Sequence, residues 1–179
     1  MLFKTGLLLG RFQTLHLGHV NMINTALDLC DRVILLIGSA QECGTEKNPF
    51  DYETRRKMLE SVFGGRIEIY PIEDQGFGNV AAWGDFVLKT VMEYTGVRPD
   101  IFISGVEQRR VSWLDGAQDI AQLYVPKAVD VSASEMRELL AGNDFEMWRK
   151  YSPRELWGMY EELRRQYIAS MDNLMTRSV

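Results

Sequence analysis

The sequence predicts an α/β fold built on a parallel sheet. Short apolar runs alternate along the chain with longer segments in which apolar residues recur every three or four positions. The run from Arg32 to Gly38 (RVILLIG) is almost continuously apolar, as expected of a parallel strand covered on both faces. Such alternation is typical of βαβ units, whose right-handed crossovers place helices on both faces of a doubly wound, Rossmann-like sheet. A helical extension is expected at the C-terminus.

The apolar runs predict four strands and a weaker fifth, in chain order Thr5–Phe12, Arg32–Gly38, Arg66–Ile72, Asp100–Ser104 and Gln122–Val125. The first helix is expected to present an apolar face formed by Val20, Ile23, Leu27 and Cys30. Asp51 is predicted to cap the second helix and Gly64-Gly65 to end it. The third helix is predicted over Val80–Tyr94. A fourth should begin near Ser134, and a last one should contain Pro153 in its first turn.

Length and composition favour a single domain over 1–179, with an α/β core over 1–145 and a helical segment over 146–179. The formal charge of −5 and the pI near 5.1 argue against a nucleic-acid binder, which needs clustered Lys and Arg. The first apolar stretch, Leu7 to Leu9, is too short to span a membrane. We expect a cytoplasmic protein whose cysteines, Cys30 and Cys43, are reduced thiols.

Both histidines of the chain, His16 and His19, fall in one stretch, GRFQTLHLGHVNMI, between the first predicted strand and the first helix. Free N–H groups at a helix N-terminus favour anions, and Arg11 adds a positive charge. Gly10 and Gly18 would allow close approach of a phosphate. The alternatives are surface or capping histidines, or a metal site, for which no further ligands with suitable spacing are evident.

A second polar segment, VSASEMR at 131–137, precedes the fourth helix. Ser134 at the helix start would leave backbone amides free for a phosphate, and Arg137 one turn later would add a charge-assisted fork. The alternative is a capping box of Ser132 and Glu135 that only starts the helix. Both interpretations are compatible, because a capped helix N-terminus also favours anions.

These segments resemble the two signatures of the nucleotidylyltransferase superfamily. His16-Leu17-Gly18-His19 matches H-x-G-H, and Val131 to Arg137 is similar to I-S-x-[ST]-x-x-R. The segments GRFQ at 10–13, GSAQ at 38–41 and NPF at 48–50 look like the archaeal-type nicotinamide-nucleotide adenylyltransferases. That resemblance covers most of residues 1–145.

The resemblance implies transfer of AMP from ATP to nicotinamide mononucleotide, giving NAD and pyrophosphate, usually with Mg²⁺ held mainly through the ATP phosphates. It implies His16, His19 and Arg137 as catalytic residues. The residues expected to bind ATP are Gly10, Arg11, Phe12, Gly18, Ser132 and Ser134. The residues expected to bind the mononucleotide are Gln13, Asn79 and Trp83, with Trp83 stacking on the pyridine ring unless it is a core residue. No protein metal ligands are expected, and a homo-oligomer is compatible with the sequence.

Three other functions fit the sequence less well. Another adenylyl or cytidylyl transfer, for example onto phosphopantetheine, would use the same two signatures, although the terminal Arg137 favours adenylyl transfer. A nucleotide-binding sensor that has lost turnover would not need His16, His19 and Arg137 intact. A purely structural interaction protein would require neither phosphate signature.

Overall fold

A computed structural model of the protein describes residues 1–76, 80–105 and 112–177. The described residues form a five-stranded sheet in the order β3-β2-β1-β4-β5. Every neighbouring pair of strands is parallel. The doubly wound α/β fold predicted from the sequence is therefore confirmed.

The strands, in chain order, are β1 (Phe3–Gly10), β2 (Cys30–Ile37), β3 (Glu68–Pro71), β4 (Ile101–Ser104) and β5 (Ala121–Tyr124). The helices are α1 (Leu17–Leu29), α2 (Tyr52–Phe63), α3 (Val80–Thr95), α4 (Ala133–Ala141), α5 (Phe145–Tyr151) and α6 (Tyr160–Arg177). Short 3₁₀ turns occupy Gly64–Arg66, Ser112–Leu114 and Arg154–Met159.

The first strand ends two residues earlier than predicted. β1 stops at Gly10 because Phe12 adopts a left-handed backbone conformation, with φ of 52°, that a strand does not accommodate. The chain therefore turns out of the sheet at Arg11 and Phe12. This turn brings the following segment over the carboxyl end of the sheet.

The prediction that Cys30 continues the apolar face of α1 is wrong. α1 ends at Leu29, and Cys30 is the first residue of β2, with its N–H bonded to the carbonyl of Ala26. No loop separates the helix from the strand. Because no glycine or proline marks this boundary, the sequence does not show where the helix ends. A Cβ on Gly6 would lie 2.6 Å from the Cys30 sulfur, so the glycine in β1 makes room for this thiol.

The C-terminal region differs from the prediction in three places. α4 begins at Ala133 with Ser132 as its N-cap, rather than at Ser134. Helix α5 was not predicted, although its N-cap Asp144 accepts a hydrogen bond from the Met147 N–H. Pro153 precedes a 3₁₀ turn, and the last helix starts only at Tyr160.

Apolar side chains form a cluster on each face of the sheet. The larger cluster contains Leu8 of β1 and Leu35 of β2 together with Trp148, Leu163 and Tyr167 of the C-terminal helices. Helices α5 and α6 thus share one apolar cluster with the sheet, and both pack against α4. None of the helices in the described parts of the chain has the length and apolarity needed to cross a bilayer.

Candidate active site

A cavity of about 610 Å³ opens at the carboxyl end of the sheet, beside the junction of β1 and β4. The chain winds outward from β1 to β3 on one side of this junction and from β4 to β5 on the other. Loops diverge where the winding reverses, and doubly wound sheets bind ligands in the crevice that results. The walls come from the segments after β1, β4 and β5 and from the start of α4, and they include Gly10, His16, Gly105, Lys127 and Ser132.

His16 lies in the cavity wall and is the N-cap of α1. Its Nδ1 accepts a hydrogen bond of 3.1 Å from the Gly18 N–H. A neutral imidazole that accepts at Nδ1 carries its hydrogen at Nε2. The cap therefore fixes the tautomer and leaves one N–H donor on the opposite side of the ring. Capping and ligand contact, which the sequence presents as alternatives, are compatible in this geometry.

His19 stacks on His16, as the three-residue spacing predicts. The ring centroids lie 3.8 Å apart with an angle of 27° between the ring planes. Among the described residues, the buried Nδ1 of His19 has no hydrogen-bond partner. An unpaired buried polar atom costs free energy unless a ligand or water satisfies it.

Both imidazoles are neutral near pH 7. Burial lowers the pKa of His16 from 6.5 to about 4, and the positive charge of Lys127 adds to the effect. Burial also lowers the pKa of His19 well below 6.5, with a further contribution from His16. The pair therefore offers hydrogen-bond donors and acceptors, while permanent positive charge must come from lysine or arginine.

The two glycines of this segment make room for protein side chains. A Cβ on Gly18 would lie 2.9 Å from the His16 ring, and a Cβ on Gly10 would lie 2.9 Å from the Phe12 ring. Phe12 in turn contacts His19, with ring centroids 5.0 Å apart. Gly10 and Gly18 therefore allow the aromatic side chains to pack over the backbone at the cavity.

Gln13 is buried, with 2% of its surface exposed. Its side-chain amide donates to the carbonyl of Phe50 and accepts from the Phe50 N–H, each at 2.9 Å. Both ends of the amide are thus used within the protein, which places Gln13 as a link between this segment and the NPF turn. Arg11, by contrast, has an exposed side chain, and its carbonyl accepts a hydrogen bond from Arg55.

The start of α4 forms another part of the wall. The side chain of Ser132 accepts from the Glu135 N–H, and the Glu135 carboxylate accepts from the Ser132 N–H, so the capping box is present. The prediction that Ser134 caps the helix is therefore wrong, and its exposed hydroxyl instead accepts from Arg137 at 3.1 Å.

Arg137 joins the two signature segments. Its guanidinium donates a second hydrogen bond to the backbone carbonyl of Gln13, 124 residues away. Arg137 is not itself among the residues that line the cavity. A guanidinium has five N–H groups, so donors remain for an anion after these two bonds.

Of Asn79 and Trp83, which were predicted to hold the pyridine ring, the structure describes Trp83. Asn79 lies outside the described residues. Trp83 is partly buried and packs against the apolar cluster on the α3 face, with its ring 5.8 Å from that of Phe86. It does not line the cavity, whereas Trp113, for which the sequence provides no motif, does.

Lys127 is a second residue that sequence reasoning missed. It follows β5 and lines the cavity. Its positive charge lies close enough to His16 to lower the pKa of that imidazole. Its signal in the sequence is its position, because polar residues that follow a parallel strand lie at the ligand-binding edge. Within the residues that the structure describes, no group of three or more His, Cys, Asp or Glu is placed to ligate a metal.

Comparisons with known proteins show the family to which the chain belongs. The family model described as cytidylyltransferase-like matches residues 7–145. A nicotinamide-nucleotide adenylyltransferase of Thermococcus onnurineus is 29% identical over 167 residues, covering 90% of this chain and 84% of that protein. One of Pyrococcus furiosus is 30% identical over 169 residues, covering 90% and 85%.

A solved structure shares the fold. A bifunctional NMN adenylyltransferase/ADP ribose pyrophosphatase from Francisella tularensis superposes with a TM-score of 0.78 at 21% identity. The superposition covers 98% of this chain but only 55% of that protein, so the present chain corresponds to about half of it. Together with the match over residues 7–145, this similarity shows that the chain belongs to the cytidylyltransferase-like family.

Proposed function

We propose that the protein is a nicotinamide-nucleotide adenylyltransferase that transfers AMP from ATP to nicotinamide mononucleotide. The observation that carries the proposal is the stacked pair His16 and His19 in a cavity at the reversal point of the sheet, next to the N-terminus of α4. The identity to archaeal enzymes of this activity along most of the chain supports the same substrates.

The chemistry matches the side chains at the cavity. An oxygen of the mononucleotide 5′-phosphate attacks the α-phosphorus of ATP, the bond from that phosphorus to the bridging oxygen breaks, and pyrophosphate leaves. The attacking oxygen is already ionised at neutral pH, so no general base is required. Catalysis then depends on aligning the two phosphates and on stabilising the charge that develops on the leaving group.

The protein's residues take distinct parts in this scheme. His16 donates from Nε2 to a phosphate oxygen, because its Nδ1 is occupied by the Gly18 N–H. His19 stacks on His16 and lies beside the same phosphate oxygen. Arg137 contacts the leaving pyrophosphate with its remaining N–H groups. Arg11, Phe12, Ser132 and Ser134 border the bound ATP in this proposal. Gln13 acts through its link to Phe50, and Trp83 stacks on the pyridine ring. Asn79, which lies outside the described residues, is assigned to the same substrate.

Mg²⁺ enters the proposal as part of the substrate. The described residues build no metal cage, and Mg²⁺ in nucleotide enzymes is held largely by phosphate oxygens and water. We therefore assign the ion to the ATP phosphates and no protein ligand to it.

The activity is tested by incubating the protein with ATP and Mg²⁺ and one acceptor at a time, namely nicotinamide mononucleotide, nicotinic acid mononucleotide or phosphopantetheine. Pyrophosphate and the dinucleotide product are measured in parallel. We expect equal amounts of pyrophosphate and NAD with nicotinamide mononucleotide. Product formed only with phosphopantetheine, or nucleotide binding without any product, would contradict the proposal.

A further inference from the structure

Lys127 is the one described residue in the cavity wall that carries a permanent positive charge. The wall is otherwise apolar or neutral, since both imidazoles are uncharged near pH 7. Arg11 and Arg137 belong to adjacent segments and do not line the cavity. A polyanion that enters therefore meets the ammonium group of Lys127 as the positive charge in the described wall.

The backbone fixes where this lysine leaves the sheet. The Val125 N–H donates to the Ser104 carbonyl at 2.8 Å, so the segment after β5 stays joined to β4 up to the residue before Pro126. Proline then restricts the backbone directly before Lys127. The lysine thus starts from a defined point at the carboxyl edge of the sheet, between β5 and the capped start of α4.

Among the described residues, Lys127 has only a weak ion-pair partner. Its described ion pair is with Asp130, at 3.9 Å, and that carboxylate is fully exposed while the lysine side chain is 50% exposed. Ion pairs of this kind contribute little, because water and salt screen them. The ammonium group is therefore available to an incoming phosphate at small cost.

We propose that Lys127 is a further substrate-contacting residue, whose ammonium group binds the triphosphate of ATP from the β5 wall of the cavity. The proposal rests on the proposed function for the identity of the anion. Lysine suits this part because it acts as a mobile point charge, whereas the planar fork of Arg137 holds a fixed orientation. During transfer, negative charge grows on the leaving pyrophosphate, and a nearby ammonium group stabilises it.

The test compares Lys127→Met, which removes the charge but keeps the length of the side chain, with Lys127→Arg, which keeps the charge. Lys57→Met is the matched control, because Lys57 also pairs with one carboxylate at 3.9 Å and is similarly exposed. We expect Lys127→Met to raise the KM for ATP about tenfold or more, the usual scale for losing a charged hydrogen bond. The KM for nicotinamide mononucleotide, the far-UV circular dichroism and the Tm should stay unchanged.

The KM of Lys127→Arg for ATP should stay within about threefold of the wild-type value. The KM of Lys57→Met for ATP should equal the wild-type value. The dependence of the KM for ATP on salt concentration should weaken in Lys127→Met, which a merely structural role would not produce. An unchanged KM for ATP, or a change confined to the mononucleotide, would overturn the proposal.

Direct titration of ATP binding by calorimetry separates this proposal from the proposed function. If the wild type binds ATP but transfers no AMP, the proposed function is wrong, and a loss of ATP affinity in Lys127→Met still supports the role of Lys127. If the wild type is active and the variant binds ATP equally well, Lys127 has no such role.

Discussion

His16 caps α1 and lines the cavity, and its protonation makes the stability of the fold depend on pH. Because the folded protein holds its pKa at about 4, below the usual 6.5, the unfolded chain binds the proton more readily. The stability that comes from the neutral ring is fully present above pH 6.5 and is lost as the pH falls towards 4. The loss amounts to at most about 3 kcal/mol for this one group. His19 acts in the same direction.

We predict that His16→Asn flattens this dependence. Urea denaturation of wild type and variant at pH 7.5, 6, 5 and 4.5 gives the free energy of unfolding at each pH. The difference in the free energy of unfolding between wild type and variant should shrink as the pH falls, because the carboxylates titrate alike in both proteins. Parallel curves would show that His16 is not held neutral in the folded state.

At the same scale, Trp83 and Trp113 offer a paired comparison. Stacking of the pyridine ring on Trp83 predicts that Trp83→Ala raises the KM for nicotinamide mononucleotide about tenfold and leaves that for ATP unchanged. Trp113→Ala is the comparator, because Trp113 lines the cavity and Trp83 does not. A larger effect on the mononucleotide from Trp113→Ala would assign the ring contact to Trp113 and refute the part given to Trp83.

At the scale of single elements, the first turn of α1 depends on Gly18. A Cβ there would lie 2.9 Å from the His16 ring and displace it from the cavity. We predict that Gly18→Ala lowers kcat about 10²-fold, the scale expected for misplacing a positioned group. The Tm should change little, because the helix propensity gained with alanine offsets the weakened His16 cap. Gly65→Ala, at a site with open space around it, should leave both quantities unaltered, and normal turnover in Gly18→Ala would contradict the prediction.

Helix α2 is attached to the sheet by Arg55, whose side chain is fully buried. Its guanidinium donates to the carbonyls of Asp51, Arg11, Gly38 and Ser39, at distances from 2.8 to 3.2 Å. Two of these carbonyls belong to Arg11 and Gly38, the residues directly after β1 and β2. Arg55 therefore fixes the edge of the sheet at which the cavity forms.

Replacing Arg55 by methionine removes the side-chain donor of the Arg11 and Gly38 carbonyls, whereas the carbonyls of Asp51 and Ser39 keep backbone N–H donors. We predict that Arg55→Met lowers the free energy of unfolding by about 3 kcal/mol or more. Arg56→Met is the control, because Arg56 is exposed and forms an ion pair with Glu60 on the same helix, so its replacement should cost far less. Urea denaturation measures both. Equal losses in the two variants would show that the buried hydrogen bonds carry no net stability.

Element boundaries were predictable where a local side chain sets them. Asp51 caps α2 as predicted, with its carboxylate accepting from the Thr54 N–H at 2.8 Å. Two serines compete at the start of α4, and the sequence does not rank them because the choice depends on how Glu135 folds back. At Cys30 the helix passes directly into the strand, so the apolar pattern has no break to detect.

The site was predictable to the extent that it is local. His16 and His19 lie in one short segment, so their spacing alone brings the rings together. Lys127 and Trp113 reach the same cavity only because β4 lies beside β1 in the sheet and β5 lies beside β4. That juxtaposition is a property of the tertiary fold, and the only local signal for it is the position of Lys127 just after a predicted strand.

At the scale of the whole molecule, the C-terminal helices share the main core. Trp148 is fully buried among residues that also contact the sheet, and its indole N–H has no partner in the described part of the chain. The boundary expected at residue 145 stays a prediction, but the packing joins both sides of it.

We therefore predict one cooperative unfolding transition. Trp148→Ala should destabilise the protein by about 3–5 kcal/mol, and Trp148→Phe should cost much less because the lost N–H made no hydrogen bond. Far-UV circular dichroism and transfer activity, followed in the same urea series, should change together in every variant. Activity that survives a first dichroism transition would show that residues 146–177 unfold separately.

The hydrogen bond between Arg137 and the carbonyl of Gln13 also bears on how the protein is made. It joins residues 124 positions apart, and a ribosome releases the earlier of them long before the later one. A nascent chain that already exposes both histidines still lacks the wall supplied by α4. The cavity that both signature segments border therefore forms only after α4 has been synthesised.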